Sequence, residues 1–287
     1  MRQAFAVYDP PAPHWVGDGF FVRTLLSPHE QGQSASPFLL LDYAAPRRFE
    51  PTAQRRGVGE HPHRGFETVT IVYSGEVAHR DSTGAGGVIG PGDVQWMTAG
   101  AGILHEEFHS EAFAKGGGEM EMAQLWVNLP AKDKSAKPRY QTLLKEEIPT
   151  LELPDGAGAA RVIAGAYAGV QGPASTFTEL NVLDVRLAAG KRTVFDIPDG
   201  QTVAILLRRG AIAFAGAPLR PAQLAVLGRE GGAFEIAADR DAELLLLTGT
   251  PIDEPIAAYG PFVMNTEAEI RQAISDFRAG RFGGMLA

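Results

Sequence analysis

Short apolar runs separated by turn residues fill most of this chain, and that pattern predicts β-strands. In segment 67–73, Val69, Ile71 and Tyr73 alternate with threonines, and a period of two is that of a strand with two unlike faces. Serine and glycine then turn the chain at 74–75. The same reasoning predicts strands at 76–79, 94–97, 103–108 and 123–129, with a loop at 82–87.

The second half of the chain repeats this organisation. Six further strands are predicted, at 180–187, 202–207, 211–214, 224–227, 233–237 and 243–248. Segments 71–78 and 206–213 resemble each other, and so do 94–100 and 224–231. Two copies of one β-barrel would explain this internal echo. The polar, proline-bounded stretch at 130–138 reads as a linker, which gives domains at 1–130 and 139–287 with a linker at 131–138.

The end of the chain has a helical pattern. Thr266 and Glu269 have the spacing of a capping box. Ile270, Ile274 and Phe277 then recur at helical spacing. The predicted fold class is therefore all-β, with two tandem barrels and a short C-terminal helix.

Composition and charge narrow the classes of function. The chain has 287 residues, a net charge of -8 and no cysteine. The acidic balance argues against direct binding of nucleic acid, and the missing thiols exclude disulfides and thiolate zinc sites. No apolar run is long enough to cross a membrane, and no apolar signal core precedes the first acidic residue. These features predict a cytoplasmic protein without a membrane partner.

Histidine carries the strongest chemical signal. All seven histidines precede residue 110. His61 and His63 are two residues apart, and so are His105 and Glu107. On a strand, such pairs project from the same face, so two neighbouring strands would direct three imidazoles and one carboxylate at one point. This set predicts a site for one divalent metal ion.

The donor set leaves several metals open. Zn²⁺, Fe²⁺, Mn²⁺, Ni²⁺ and Cu²⁺ all accept imidazole and carboxylate ligands, and an octahedral ion would keep two positions free for substrate or O₂. Because sulfur ligands are absent, Fe²⁺ or Mn²⁺ is favoured over a structural Zn²⁺.

Other polar residues near these pairs leave alternatives open. Glu67 is a rival carboxylate, because it would share the face of His63 on one continuous strand; it is a candidate ligand, a partner that fixes an imidazole, or an inward-facing polar group. Pro62 requires an edge strand or a strand start. His109 reads as a rim residue, and His79 as a surface residue of its strand.

Five segments, in both halves of the chain, carry a resemblance to a known family. The chain resembles the pirins of the cupin superfamily in the segments HPHRGFETV (61–69), PGDVQWMTAG (91–100), GILHEE (102–107), QLWVNL (124–129) and GPFVMNT (260–266). This resemblance implies a bicupin fold with one metal, usually iron, in the N-terminal barrel. It places the four ligands at His61, His63, His105 and Glu107, and it demotes Glu67.

Pirins show quercetin 2,3-dioxygenase activity, and some act as nuclear co-regulators of transcription. The resemblance therefore favours a metal-dependent dioxygenase acting on a flavonol, with Glu107 and, secondarily, Glu67 as catalytic groups. Phe66, Trp96 and Met97 are candidate walls of the substrate pocket. The alternative is a non-catalytic, metal-dependent regulator with a protein partner. A third possible function is that of a zinc-type cupin isomerase, but nothing in the sequence indicates a sugar-phosphate site. The C-terminal barrel has no histidine and is expected to bind no metal.

Overall fold

The structure is a computed structural model that describes residue 2, residues 4–214 and residues 217–285. Residues 1 and 3 of the first predicted domain and residues 215, 216, 286 and 287 of the second lie outside the described residues. The described part contains mainly strands, as the sequence predicts. In chain order the first elements are β1 (Ala4–Tyr8), β2 (His14–Val16), β3 (Phe20–Leu26), β4 (Phe38–Phe49), β5 (Gly57–His63), β6 (Phe66–Ser74), β7 (Val77–Asp81), β8 (Gly86–Ile89), β9 (Val94–Thr98), β10 (Ile103–His109), α1 (Glu111–Gly116), β11 (Gly118–Asn128) and β12 (Arg139–Leu143).

The remaining elements complete the fold class. They are β13 (Thr150–Glu152), β14 (Gly158–Ala164), β15 (Ala166–Tyr167), β16 (Val170–Gln171), β17 (Leu180–Leu187), β18 (Arg192–Asp196), β19 (Thr202–Arg209), β20 (Ile212–Phe214), β21 (Ala217–Leu219), β22 (Leu224–Leu227), β23 (Ala233–Ala238), β24 (Ala242–Gly249), β25 (Ala257–Tyr259), β26 (Phe262–Met264) and α2 (Glu267–Arg278). Short 3-10 turns lie at Ala131–Asp133 and Pro154–Gly156. The predicted loop at 82–87 is shorter than expected, because residues from Gly86 onward pair with β7 as strand β8.

Two compact units divide the chain. The N-terminal unit comprises Ala12–Gln33, Phe38–Lys145 and Ile252–Ala287, and the C-terminal unit comprises Met1–Pro11, Ser34–Pro37 and Glu146–Pro251. This division differs from the predicted boundaries at both chain ends. Strand β1 pairs with β22 of the C-terminal unit, whereas α2 packs within the N-terminal unit. The predicted linker 131–138 also lies inside the N-terminal unit.

The N-terminal unit consists of two antiparallel sheets whose inner faces meet. One has the strand order β12-β9-β6-β11-β4-β3-β2, and the other has the order β5-β10-β7-β8. Thr70 on β6 and Gln124 on β11 both contact Glu107 on β10, so these side chains define the interior between the sheets. Strand β5 is an edge strand, as expected for a strand that contains Pro62.

Strand register separates an inner from an outer face of the seven-stranded sheet. Thr70 lies opposite Gln95 on β9 and Gln124 on β11, and this row faces the interior. Val69 lies opposite Trp96 and Leu125. Because neighbouring positions on a strand point to opposite faces, that second row lies on the outer face.

The C-terminal unit has a similar pair of sheets over an apolar core. Their orders are β1-β22-β19-β24-β17-β14-β13 and β18-β23-β20-β21. Side chains from both sheets, including Leu183, Leu244 and Phe214, form one buried apolar cluster. Phe195 stacks on Phe234 in that cluster, with 5.6 Å between ring centroids.

The predicted C-terminal helix is present as α2. Thr266 caps it, and Glu269 completes the predicted capping box. Ile270 joins Leu104, Phe262 and Phe282 in one apolar cluster, so the helix packs behind strand β10. Among the described residues, no helix combines the length and apolarity needed to cross a membrane.

Candidate metal centre

Three histidines converge between the sheets of the N-terminal unit. His61 and His63 project from β5, and His105 lies directly opposite His61 on β10. The ring centroids are 4.9 Å apart for His61 and His63, 4.2 Å for His61 and His105, and 4.8 Å for His63 and His105. One ligand atom of each ring lies within 4.8 Å of the others. The predicted i, i+2 geometry of this trio is therefore present.

Glu107 belongs to a second group that shares His105. Its carboxylate, His105 and His79 also offer ligand atoms within 4.8 Å of one another. Glu107 lies opposite His79 on β7, and Oε1 of Glu107 is 3.4 Å from Nδ1 of His79. His79 is only 6% exposed, so its interpretation as a surface residue is wrong. Residue parity on β7 directs it inward together with Asp81.

Backbone carbonyls orient the two imidazoles of β5. Nδ1 of His61 lies 2.8 Å from the Gly59 carbonyl oxygen, and Nδ1 of His63 lies 3.4 Å from that of Pro261. A proton on each Nδ1 would donate to these oxygens and leave Nε2 free to bind a metal. Neither ring nitrogen of the buried His105 makes a hydrogen bond within the described part of the chain.

Burial keeps the imidazoles of His63 and His105 in the neutral form that binds metals. Desolvation, followed by the nearby His61 ring, lowers the pKa of His63 well below its ordinary value. Desolvation, followed by His63 and His61, does the same to the pKa of His105. Neutral imidazole is the ligating form. Buried nitrogens without partners, together with a carboxylate, fit a divalent first-row ion.

Two family models match this chain over most of its length. The model described as Pirin covers residues 19–127, and the Pirin C-terminal cupin domain covers residues 182–283. The chain belongs to the pirin family. Its two units are accordingly tandem cupin domains, and the predicted fold class is confirmed.

Individual pirin relatives cover nearly the whole chain. A Pseudomonas aeruginosa protein, provisionally named a quercetin 2,3-dioxygenase, is 59% identical over 98% of this chain and 99% of its own. Human pirin is 40% identical over 88% of this chain and 84% of its own length. The crystal structure of quercetin 2,3-dioxygenase from Acinetobacter baumannii matches with a TM-score of 0.96 and 51% identity, covering all of both chains.

Glu67 does not join the ligand groups, because the strand that was expected to carry it is interrupted. Strand β5 ends at His63, and β6 begins only at Phe66. Between them the chain turns at Gly65, whose φ of 88° favours glycine. Glu67 then lies opposite Thr98, whose Oγ1 donates a 2.7 Å hydrogen bond to it, on the outer face. Burial raises the pKa of Glu67 to about 7.

The three expected pocket residues divide between the two faces. Phe66 lies 5.1 Å from the His63 ring, between centroids, and Met97 lies opposite Thr68 on the inner face. Trp96 lies on the outer face, so it does not border the histidines. Trp126, which was not among the predicted pocket residues, packs against His63 with 5.4 Å between ring centroids. Only the strand register, which places Trp126 opposite Thr68, shows that it lies near the histidines, and that register depends on the tertiary structure.

His109 is also placed differently from its prediction. It is buried rather than on the rim, and its Nε2 lies 2.8 Å from the Gly19 carbonyl oxygen. The ring packs edge-on against Phe49, with 4.7 Å between centroids. His109 is therefore a core residue of the unit and is absent from both candidate ligand groups.

A buried lysine stabilises the turn that follows His63. Nζ of Lys134 donates to the carbonyl oxygens of Gly65 at 2.9 Å and Val263 at 3.1 Å, and to Oδ1 of Asn128 at 2.8 Å. Desolvation lowers the pKa of Lys134 to about 8. Lys134 belongs to the predicted linker, and it ties the turn to the hairpin that contains Pro261.

Proposed function

We propose that this pirin is a metal-dependent dioxygenase that opens the heterocyclic ring of a flavonol. His61, His63, His105 and Glu107 would hold one ion, with Fe²⁺ preferred over Mn²⁺, Ni²⁺, Cu²⁺ or Zn²⁺ because the set combines imidazoles with one carboxylate and no sulfur. The observation that carries this proposal is the convergence of His61, His63 and His105, with Glu107 grouped beside His105. The names of the P. aeruginosa and A. baumannii relatives support the substrate class.

The side chains around the histidines fit a flat phenolic substrate. A bound ion would act as a Lewis acid toward the 3-hydroxy and 4-keto oxygens. Phe66 and Trp126, whose ring centroids are 4.3 Å apart, would provide an apolar wall for the rings. Glu107 is the carboxylate available to accept the 3-hydroxyl proton. In the balanced reaction, both atoms of O₂ enter the ester product and one ring carbon leaves as carbon monoxide.

The test is aerobic loss of flavonol absorbance together with release of carbon monoxide. Metal-loaded protein, metal-stripped protein and Glu107→Ala protein would be compared, with quercetin as the probe. Only the metal-loaded parent protein is expected to turn over quercetin. The rate is expected to be slow, because Glu107 would act both as a ligand and as the proton acceptor, whereas a dedicated acid or base typically contributes about 10²–10⁴-fold.

Glu67→Gln provides a matched control, since it removes a buried carboxylate from the opposite face. It is expected to keep the rate of the parent protein. Equal rates in the loaded, stripped and Glu107→Ala proteins would indicate background oxidation and contradict the proposal. The metal-dependent regulator would then be the better reading, and capture of partners with loaded against stripped protein would test it.

A further inference from the structure

Three side chains from other strands surround the carboxylate of Glu107. Nε2 of Gln124 lies 3.0 Å from both Oε1 and Oε2. Oγ1 of Thr70 donates to Oε1 across 3.3 Å, and Nδ1 of His79 lies 3.4 Å from the same oxygen. Thr70 of β6 and Gln124 of β11 therefore hold the Glu107 carboxylate by hydrogen bonds, and His79 of β7 lies beside it.

The contact with Gln124 differs from the other two. Its amide reaches both oxygens, and an amide N–H can only donate to a carboxylate, so it restricts rotation of the carboxylate group. An ionised carboxylate has about four acceptor sites. The Gln124 amide therefore occupies some of these acceptor sites and leaves others free to bind a metal. Strand register supplies this contact, because Gln124 sits beside Thr70 on the inner face.

We propose that Gln124 is a positioning residue that holds Glu107 in its ligating orientation. The affinity of the site for its metal would then depend on a side chain that is not itself a ligand. Partners of this kind typically change metal affinity about 10–100-fold when they are removed. This inference rests on the proposed role of Glu107 as a ligand, which belongs to the proposed function.

The test compares metal affinity in matched variants. Gln124→Met keeps a side chain of similar length and removes the amide. Gln95→Met makes the same exchange on the other side of Thr70, where neither amide atom of Gln95 has a partner among the described residues. Affinity for Fe²⁺ would be measured anaerobically by competition with a coloured chelator, and affinity for Mn²⁺ would be measured as an oxidation-resistant check.

Gln124→Met is expected to weaken metal binding about 10–100-fold, whereas Gln95→Met is expected to bind like the parent protein. The same exchange in a Glu107→Ala background is expected to have no further effect, because Gln124 acts through Glu107. An equal loss in both backgrounds would mean a general structural effect and would overturn the proposal. Unfolding of the metal-free variants would be monitored in parallel. If Gln124→Met does not fold, Gln124→Asn, whose amide is one methylene shorter, should lose affinity in the same direction.

Failure of this inference can be told apart from failure of the proposed function. If the parent protein binds metal and Glu107→Ala weakens it, but Gln124→Met binds like the parent, only the positioning role is wrong. If the parent protein binds neither Fe²⁺ nor Mn²⁺, or if Glu107→Ala leaves affinity unchanged, the ligand assignment is wrong and the inference falls with it.

Discussion

The two cupin units differ most in what fills the space between their sheets. In the N-terminal unit, His79, His105, Glu107, Thr70 and Gln95 all face the interior, and all are buried. In the C-terminal unit, the corresponding space holds a continuous cluster of buried apolar side chains such as Phe195, Leu207 and Leu246. The first interior is lined by polar side chains, and the second by apolar side chains.

This difference shows that one fold can be built around either a polar or an apolar interior. Burying polar groups costs free energy unless they find partners, so a polar interior is retained where it has a function. An ion that binds only the folded state would offset part of that cost. The apolar interior of the C-terminal unit needs no such compensation.

The largest expected effect comes from removing His105, the candidate ligand that belongs to both groups of the N-terminal unit. The parent protein should contain one tightly bound metal per chain. His105→Ala should weaken binding by more than the roughly 10–100-fold typical of outer partners, because the remaining ligands enclose the ion less well. Elemental analysis after purification without added metal would measure this. Full occupancy in the variant, or a second equivalent bound in the C-terminal unit, would contradict the comparison.

A core substitution in the C-terminal unit should affect stability and leave metal content unchanged. Phe195→Ala removes a fully buried ring stacked on Phe234 and should lower the free energy of unfolding by about 3–5 kcal/mol. Val194→Ala, on the exposed face of the same strand, should change it by less than about 0.5 kcal/mol. Urea unfolding would measure both values. An equal loss in the free energy of unfolding for the two variants would show that packing in this interior does not stabilise the protein.

Glu67→Gln should stabilise the protein at high pH, because burial raises the pKa of Glu67 from 4.5 to about 7. Between pH 4.5 and about 7, the folded state binds the Glu67 proton more tightly than the unfolded state does. The free energy of unfolding of the parent protein therefore falls as pH rises through this range, and the destabilisation by Glu67 is complete above about pH 7. The gain for Glu67→Gln should reach up to about 3 kcal/mol. Urea unfolding as a function of pH should show this gain at high pH and little difference near pH 4. A gain independent of pH would exclude titration of Glu67 as the cause.

The smallest expected effect is a difference in fluorescence quenching between tryptophans on the two faces of the seven-stranded sheet. A paramagnetic ion such as Co²⁺ should quench the fluorescence of Trp126, whose ring lies 5.4 Å from that of His63. Trp126→Phe should therefore remove much of the quenching, whereas Trp96→Phe on the outer face should retain it. The reverse result would show that Trp96 is the tryptophan near the metal.

Several features could be predicted from the sequence, because they depend on local geometry. The two i, i+2 pairs follow from strand periodicity, and the structure groups His61 and His63 with His105, whereas Glu107 groups with His79 and His105. The edge position of Pro62 follows from its missing N–H, and the start of α2 follows from its capping box. Family motifs then added the bicupin fold, which the comparisons confirm.

Other features were decided only by tertiary structure, because they depend on the pairing and register of residues far apart in the chain. The turn at Gly65 separates β5 from β6, so Glu67 lies on the outer face, although simple parity placed it with His63. Gln124 and Trp126 reach the site only because β11 pairs with β6. The sequence by itself singled out His61, His63, His105 and Glu107 as candidate ligands; the packing of the two sheets brought His79 beside Glu107 and determined which side chains surround them.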